Sequence, residues 1–327
     1  MNAHQLIDKF SELKVLVIGD VMIDSYLWGR VDRVSPEAPV PIVAVDKRDK
    51  RLGGAANVLL NVKQLGAEPI LCTVVGKDKE GEEIIDLLQK EGLSTKGVIQ
   101  SDERPTTIKH RIISKSQQLL RIDSEVNHFL SQDENEAFLK NVKQLIKEVD
   151  VVVLQDYDKG VFTPDNIAEI IQLCKKENVP VSVDPKKRNF LSYQGVDLFK
   201  PNLKELSEGM NMIIDPRSDE SILEAVQKLQ EVSPHLSTFI TLSEYGVALV
   251  KEGKITRAQA HKRTISDVSG AGDTVIAVAS LCLAAGGNDK NLIEMANLAG
   301  GLVCEYVGVV PISKDRFVKE ASQIQLN

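Results

Sequence analysis

A rhythm runs along this 327-residue chain that leaves few architectures open. Short β-branched and aliphatic runs alternate with longer amphipathic stretches. The run KVLVIGD at 14–20 is apolar almost throughout, as a central strand covered on both faces must be. After it the patterns predict a helix at 55–65, a strand at 69–75 and a helix at 80–91. The second half continues with helix 133–147, strand 150–156, helix 164–177, strand 180–184 and strand 197–201. Helix 218–231, strand 238–243 and two helices across 272–305 follow. Such alternation implies an α/β fold, a mostly parallel central sheet flanked by helices on both faces.

Two segments break the rhythm. At 40–45, and again at 106–123, strand-like patterns succeed one another with no helix between. In the second, TTIKHRII and QQLLRID are joined by the polar turn Ser114-Lys115-Ser116-Gln117. Antiparallel strands forming a small separate sheet, as a flap over a site or a dimer-forming surface, fit this pattern. An antiparallel edge of the main sheet is the alternative. The sequence shows no internal repeat and no long linker.

Composition narrows the partners. A formal net charge of -7 gives no basic excess with which to displace counterions, so a nucleic-acid partner is not expected. Cys72, Cys174, Cys282 and Cys304 lie far apart with no C-x-x-C pair, which suits neither a zinc site nor a disulfide framework. The opening MNAHQLIDKF lacks the apolar core of a signal peptide. The apolar run at 275–285 is shorter than the roughly 20 residues a bilayer span needs and reads as a buried helix. No membrane partner and a cytoplasmic location are therefore expected.

Four local patterns could carry chemistry. Ser269-Gly270-Ala271-Gly272-Asp273 stands immediately before the apolar helix. A glycine-rich turn opening a helix aims free N–H groups and the positive end of the dipole at one point, which suits a phosphate oxygen. Asp273 there is placed to accept a proton from an attacking hydroxyl, although an aspartate at that position also serves as a plain helix cap. The stretch Gly19-Asp20-Val21-Met22-Ile23-Asp24 follows the first strand, where open α/β sheets hold ligands. Gly53-Gly54, followed by Asn57, brings backbone and an amide close to a diol, or is a structural glycine pair. Lys200-Pro201-Asn202-Leu203-Lys204-Glu205 leads into a helix; Glu205 could orient a metal-bound water, with capping by Asn202 the alternative. There is no G-x-x-x-x-G-K-[ST] and no G-x-G-x-x-G after a strand, so P-loop and dinucleotide readings lack support.

Taken in order, GD-x-x-x-D, Gly-Gly-x-x-Asn, KPN-x-x-E and GAGD resemble the ribokinase/PfkB sugar kinases over essentially the whole chain. The stretches 19–43, 53–58 and 267–277, supported by 117–123, 155–160, 184–186 and 241–246, are similar to the branch acting on D-glycero-D-manno-heptose 7-phosphate. The resemblance implies a ribokinase-like domain over 1–327, with β-lid segments near 22–46 and 104–124 that also form a homodimer contact. It implies ATP and Mg²⁺ as cofactors, a monovalent cation near Asp267, and a sugar phosphate as substrate, phosphorylated at O1. Asp273 becomes the base, with Gly270, Ala271 and Gly272 as the anion hole. Asp20, Gly53, Gly54 and Asn57 hold the sugar. Arg104, Lys109, Arg111, Arg121, Lys186 and Arg188 are candidates for the substrate phosphate, of which Arg121 and Lys186 are assigned to it. Asn202, Glu205, Thr241, Ser243, Gly246 and Asn297 lie by the nucleotide, Glu205 reaching the metal through water.

Two residues depart from the pattern: Ser269 where a threonine is expected, and Asp158 where a small residue is expected and where an acid would alter the substrate pocket. Bifunctional relatives carry a further nucleotidyltransferase domain; with the kinase pattern running to Asn327, adenylyl transfer is expected from a separate protein. The rival readings are a kinase of an unphosphorylated sugar, such as a fructokinase or ribokinase, and a non-catalytic sugar-binding regulator on the same fold.

Overall fold

The computed structural model describes residues 1–115 and 117–324. Ser116, in the expected turn, and residues 325–327 lie outside the described residues. After helix α1 (Ala3–Phe10), strand β1 (Lys14–Gly19) runs directly into β2 (Val21–Val34), with only Asp20 between them. Strand β3 (Pro41–Gly54) returns and opens α2 (Ala55–Gln64), followed by β4 (Glu68–Gly76), α3 (Lys79–Lys90) and β5 (Val98–Ser101). Then come β6 (Ile108–Ser114), β7 (Gln117–Ser124), α4 (Gln132–Leu145), β8 (Val151–Gln155) and α5 (Pro164–Glu177). The chain continues through β9 (Val181–Asp184), β10 (Leu198–Phe199), α6 (Leu203–Met210), α7 (Asp219–Val232) and β11 (Ser237–Thr241). It closes with β12 (Val247–Lys251), β13 (Lys254–Ala258), α8 (Ala271–Ala284), α9 (Asp289–Val303) and α10 (Lys314–Ala321).

Nine strands form one sheet in the order β13-β12-β11-β10-β9-β8-β1-β4-β5. Strand β1 pairs in parallel with both β4 and β8, which is why KVLVIG carries apolar residues on both faces. Alternation along each strand sorts the core into two halves. Val15, Val17, Val151 and Val153 pack with Leu6 of α1, Val58 of α2, Ile276 of α8 and Ile293 of α9. Leu16, Ile18, Val152 and Leu154 pack with Phe138 of α4, Ile170 of α5 and Val226 of α7. The expected α/β architecture with helices on both faces is present. Helix α8 is buried from Asp273 to Cys282, and no described helix is long and apolar enough to cross a membrane. All four cysteines are buried and unbridged.

Three features differ from the sequence reading. The segment 247–258, which the reading left without strands, is an antiparallel hairpin at the sheet edge, turning at Glu252 (φ 50°) and Gly253 (φ 72°). Only Leu198 and Phe199 of 197–201 form a strand. The second sheet, in the order β3-β2-β6-β7, spans 21–54 as well as 108–124, so its first segment is longer than expected. It is not wholly antiparallel: β2 and β6 pair in parallel, because each rises from the rim of the main sheet in the same sense.

Candidate active site

Consecutive parallel strands deliver polar residues to one rim of the main sheet. Gln155 ends β8, Asp184 ends β9, Lys200 follows β10 and Thr241 ends β11. Helix α8 points its N-terminus at the same rim. Gly270 caps it in the left-handed region (φ 79°), and a Cβ there would lie 2.8 Å from Asn57 Nδ2, so only glycine lets the turn approach α2. Helices α2 and α8 are joined by two polar contacts: Asn57 Nδ2 donates to Asp273 Oδ2 at 2.8 Å, and Thr274 Oγ1 donates to Asn61 Oδ1 at 3.2 Å.

Asp273 is almost wholly buried. Its other oxygen, Oδ1, accepts from Tyr157 Oη at 2.7 Å and from Gln155 Nε2 at 3.1 Å. Burial pushes its carboxyl up to about 6; hydrogen bonds from Asn57 and Tyr157 oppose that rise, and the charge of Asp184 adds to it. A carboxylate poised near that value takes a proton more readily than a surface aspartate does. Beyond it lies a charge network. Lys200, 2% exposed, sits 3.1 Å from Asp184 Oδ2, and Lys186 reaches both Asp184 Oδ1 at 3.4 Å and Glu205. Burial raises the Asp184 carboxyl, but the ammonium groups of Lys186 and Lys200 outweigh it and hold the group ionised. Lys186 also stands over the Tyr157 ring, 5.6 Å from its centroid.

The geometry suits a phosphoryl oxyanion. A Cβ built on Gly272 would come no closer than 3.6 Å to Asp184 Oδ2 and Lys200 Nζ, so the space before the first turn is open and bordered by a buried cation. First-turn N–H groups of a helix lack an intrahelical acceptor, which suits an anion there; that of Ala271 donates back to the Val268 carbonyl at 3.2 Å. Sequence reasoning missed both Lys200 and Tyr157. A lysine before a proline reads as surface, and the hydroxyl of Tyr157 reaches Asp273 across 116 positions.

The expected sugar residues divide. Gly53, Gly54 and Asn57 line the mouth of α2. A Cβ on Gly53 would lie 2.3 Å from Asp24 Oδ2, and Gly54 has φ 62°. Asp20 is held by a different set of contacts. Its Oδ2 accepts from the N–H groups of Tyr157 (2.9 Å) and Lys159 (3.2 Å), and its Oδ1 from that of Val161 (3.2 Å). Its carboxylate therefore fastens the 157–161 loop, and Asp24, paired with Arg111, is the acid that faces the glycines. Arg121 lies on the exposed strand β7 and pairs through Nε with Asp123. Lys186 belongs with Asp184 and Glu205, apart from the lid cations. Arg104 is buried, donating to the carbonyls of His128 and Lys159. Arg188 lies over the Phe129 ring.

On the other side of the rim, Asn202 and Glu205 form a reciprocal helix cap, each accepting from the other's N–H at 2.8 Å. With Lys186 on its second oxygen, Glu205 is occupied by its own chain. Thr241 bridges to Asn202, Ser243 turns at φ 53°, and Gly246 (φ 84°) abuts Ala258 and Ala260. Asn297 donates to the Gln259 carbonyl at 2.8 Å, which draws these residues into one border. Of the two departures, Asp158 holds φ 56°, a turn conformation that aspartate tolerates, and Ser269 donates through N and Oγ to Asp267.

A description of the pfkB family of carbohydrate kinases matches residues 12–315. The chain is 40% identical to the bifunctional protein HldE of Helicobacter pylori over 295 residues, covering 90% of this chain and 63% of that protein. The HldE of Desulfatibacillum aliphaticivorans is 39% identical over 315 residues, 96% of this chain and 64% of its own. The chain thus spans less than two thirds of the length of these curated relatives. Among solved structures, phosphofructokinase-2 of Escherichia coli in complex with potassium superposes with a TM-score of 0.78 at 18% identity, covering 95% of this chain and 98% of that one. Arabidopsis thaliana ribokinase complexed with ribose and ATP gives 0.73 at 19% identity, covering 96% and 99%. The fold is ribokinase-like. The chain belongs to the pfkB family of carbohydrate kinases.

Proposed function

We propose that the chain transfers the γ-phosphoryl group of ATP to O1 of D-glycero-D-manno-heptose 7-phosphate, giving the 1,7-bisphosphate used in ADP-heptose synthesis. The observation that carries the reading is Asp273, a buried carboxyl raised to about 6 at the mouth of a glycine-opened helix. Asp273 orients the sugar hydroxyl and takes its proton. Asn57 and Tyr157 hold the carboxylate in place while it does so. The Gly270–Gly272 amides and Lys200 meet the charge that gathers on the phosphoryl oxygens, the larger part of catalysis in a loose transition state. Bound ATP supplies the phosphoryl group, and Mg²⁺ neutralises its phosphates.

Among the described residues no cluster of three or more His, Cys, Asp or Glu side chains could hold a metal. That fits Mg²⁺ carried mainly by phosphates and water, which Glu205 would reach through water once Lys186 gives up its oxygen. Asp267, whose carboxylate is kept low against its burial by the Ser269 and Gly308 amides, supports a monovalent cation beside the same turn. Gly53, Gly54, Asp24 and Asn57 hold the sugar; Asn202, Thr241, Ser243, Gly246 and Asn297 border the nucleotide. The chain acts in the cytoplasm as a homodimer joined through the lid sheet, a reading supported by the exposed Leu119, Leu120 and Ile122 of β7.

The test is ADP release with Mg-ATP and heptose 7-phosphate, fructose 6-phosphate, fructose or ribose. Selective turnover of heptose 7-phosphate is expected, and Asp273→Asn should lower kcat by at least about 10²-fold. Activity of that variant within a few-fold of wild type would remove Asp273 from the base role.

A further inference from the structure

Two lid-side lysines converge on a single carboxylate. Lys109 Nζ, from β6, lies 2.7 Å from Glu125 Oε2, and Lys159 Nζ lies 2.8 Å from Glu125 Oε1. Lys109 also reaches Asp123 Oδ2 at 3.0 Å. Lys109 on β6 and Lys159 in the loop after β8 both have side chains largely withdrawn from solvent, 13% and 17% exposed, which is unusual for ammonium groups. Glu125 follows directly on the last residue of β7.

The register places this cluster. Lys109 stands opposite Asp24 on β2 and opposite Asp123 on β7, and paired residues share a face. Asp24 is the acid whose Oδ2 lies against Gly53 at the mouth of α2. The lysine pair therefore adjoins the sugar end of the site, away from the cations of the nucleotide side. Lys159 is tied to the same centre through its backbone, which donates to Asp20 alongside Tyr157, the residue whose hydroxyl reaches Asp273. Of the other candidate cations, Arg111 pairs with Asp24, Lys186 with Asp184 and Glu205, and Arg121 with Asp123; Arg188 lies over the Phe129 ring, and Arg104 gives Nη2 to backbone carbonyls while its buried Nη1 has no partner.

We propose that Lys109 and Lys159 form the clamp for the phosphomonoester of the substrate, and that Glu125 occupies the clamp until a phosphate displaces it. This rests on the reading that the substrate is a sugar phosphate. A carboxylate spanning two ammonium groups offers one negative charge and two acceptor oxygens. A phosphomonoester brings about 1.5 to 2 charges and three oxygens, so the exchange is favourable electrostatically. A free sugar brings neither and leaves Glu125 in place. The clamp thereby selects for phosphorylated substrates, and it releases the root of β7 when the right one arrives.

The experiment is steady-state kinetics on wild type, Lys109→Met, Lys159→Met, the double variant and Glu125→Gln, with inorganic phosphate as competitor against the sugar phosphate. Each methionine variant should raise KM for heptose 7-phosphate by roughly 10- to 100-fold, the scale of a lost charge-assisted contact, while KM for ATP stays within about threefold. Inorganic phosphate should inhibit wild type competitively, several-fold more tightly in Glu125→Gln, and not at all in the double variant. The Glu125→Gln titration stands even if a methionine variant folds poorly. An unchanged sugar-phosphate KM in both lysine variants, or weaker phosphate inhibition in Glu125→Gln, would overturn the clamp and leave the kinase reading intact. Wild-type turnover of free sugars alone would overturn the clamp and the heptose 7-phosphate reading together.

Discussion

The two sheets of this protein obtain their stability in different ways. Every residue of β8 and β9 is buried between two helical layers, whereas every residue of β7 is exposed. The main sheet is fixed by apolar burial, and it carries Gln155, Asp184 and Lys200 on its rim as rigid points. The lid sheet has no second layer on β7. It is held by long backbone ladders and by ion pairs such as Arg30 with Asp46 and Arg121 with Asp123. Exposed pairs of that kind contribute about 0.2–1 kcal/mol each. On the proposed reading the contrast suits a kinase: the rim groups assigned to the phosphoryl transfer are held by packing, and the small sheet assigned as the lid would repack at small cost.

The sharpest way to break that contrast is to remove a buried rim charge. Lys200→Met leaves Asp184 short of a cation in the interior, and folding stability should fall by about 3–5 kcal/mol, read from denaturant unfolding. Arg30→Ala in the lid should cost under about 1 kcal/mol in the same assay. Equal losses would sink the distinction. Next is Gly270→Ala, which forces a left-handed residue and pushes a methyl onto Asn57; about 1–2 kcal/mol should be lost, with a fall in kcat as the Asn57–Asp273 contact shifts.

A subtler probe is Tyr157→Phe. The tyrosine hydroxyl favours the ionised form of Asp273, so its removal raises that carboxyl further above its present value of about 6. A base works only when deprotonated. The acid limb of kcat/KM should therefore move to higher pH, with more activity lost at pH 6 than at pH 8; an unmoved limb would leave Tyr157 a packing residue. The smallest expected effect is in the lid: Ile122→Thr should change monomer stability by no more than about 0.5 kcal/mol yet weaken self-association in sedimentation. A large stability loss there would mean that the lid has a core of its own.

Much of the fold was legible because its strands and helices advertise their periods. The uninterrupted KVLVIG run announced a central strand, and the apolar run after Gly272 announced a buried helix. The hairpin at 247–258 was passed over because its turn signal is only Glu252-Gly253, between strands of five residues each. The local motifs picked out Asp273, Asn57 and the glycines, which the fold brings together. The different surroundings of Asp20 and Asp24 were not legible. Four apart, they would share one face of a continuous strand, but the strand breaks at Asp20 and a new one starts at Val21. Asp20 then finds its partners 137 to 141 positions away, which no local pattern records.

Distance along the chain has one more effect. The contact between Asn57 and Asp273 spans 216 positions, and Asn61 is closed off by the amide of Ile312, 251 positions on. During synthesis the small sheet and the glycine pair emerge long before Asp273. On the proposed reading, a nascent chain would have a place for a sugar but no base to activate it until the last third of the polypeptide docks. Non-local closure of this kind is slow to form, and it makes competence for phosphoryl transfer one of the last properties the folding molecule acquires.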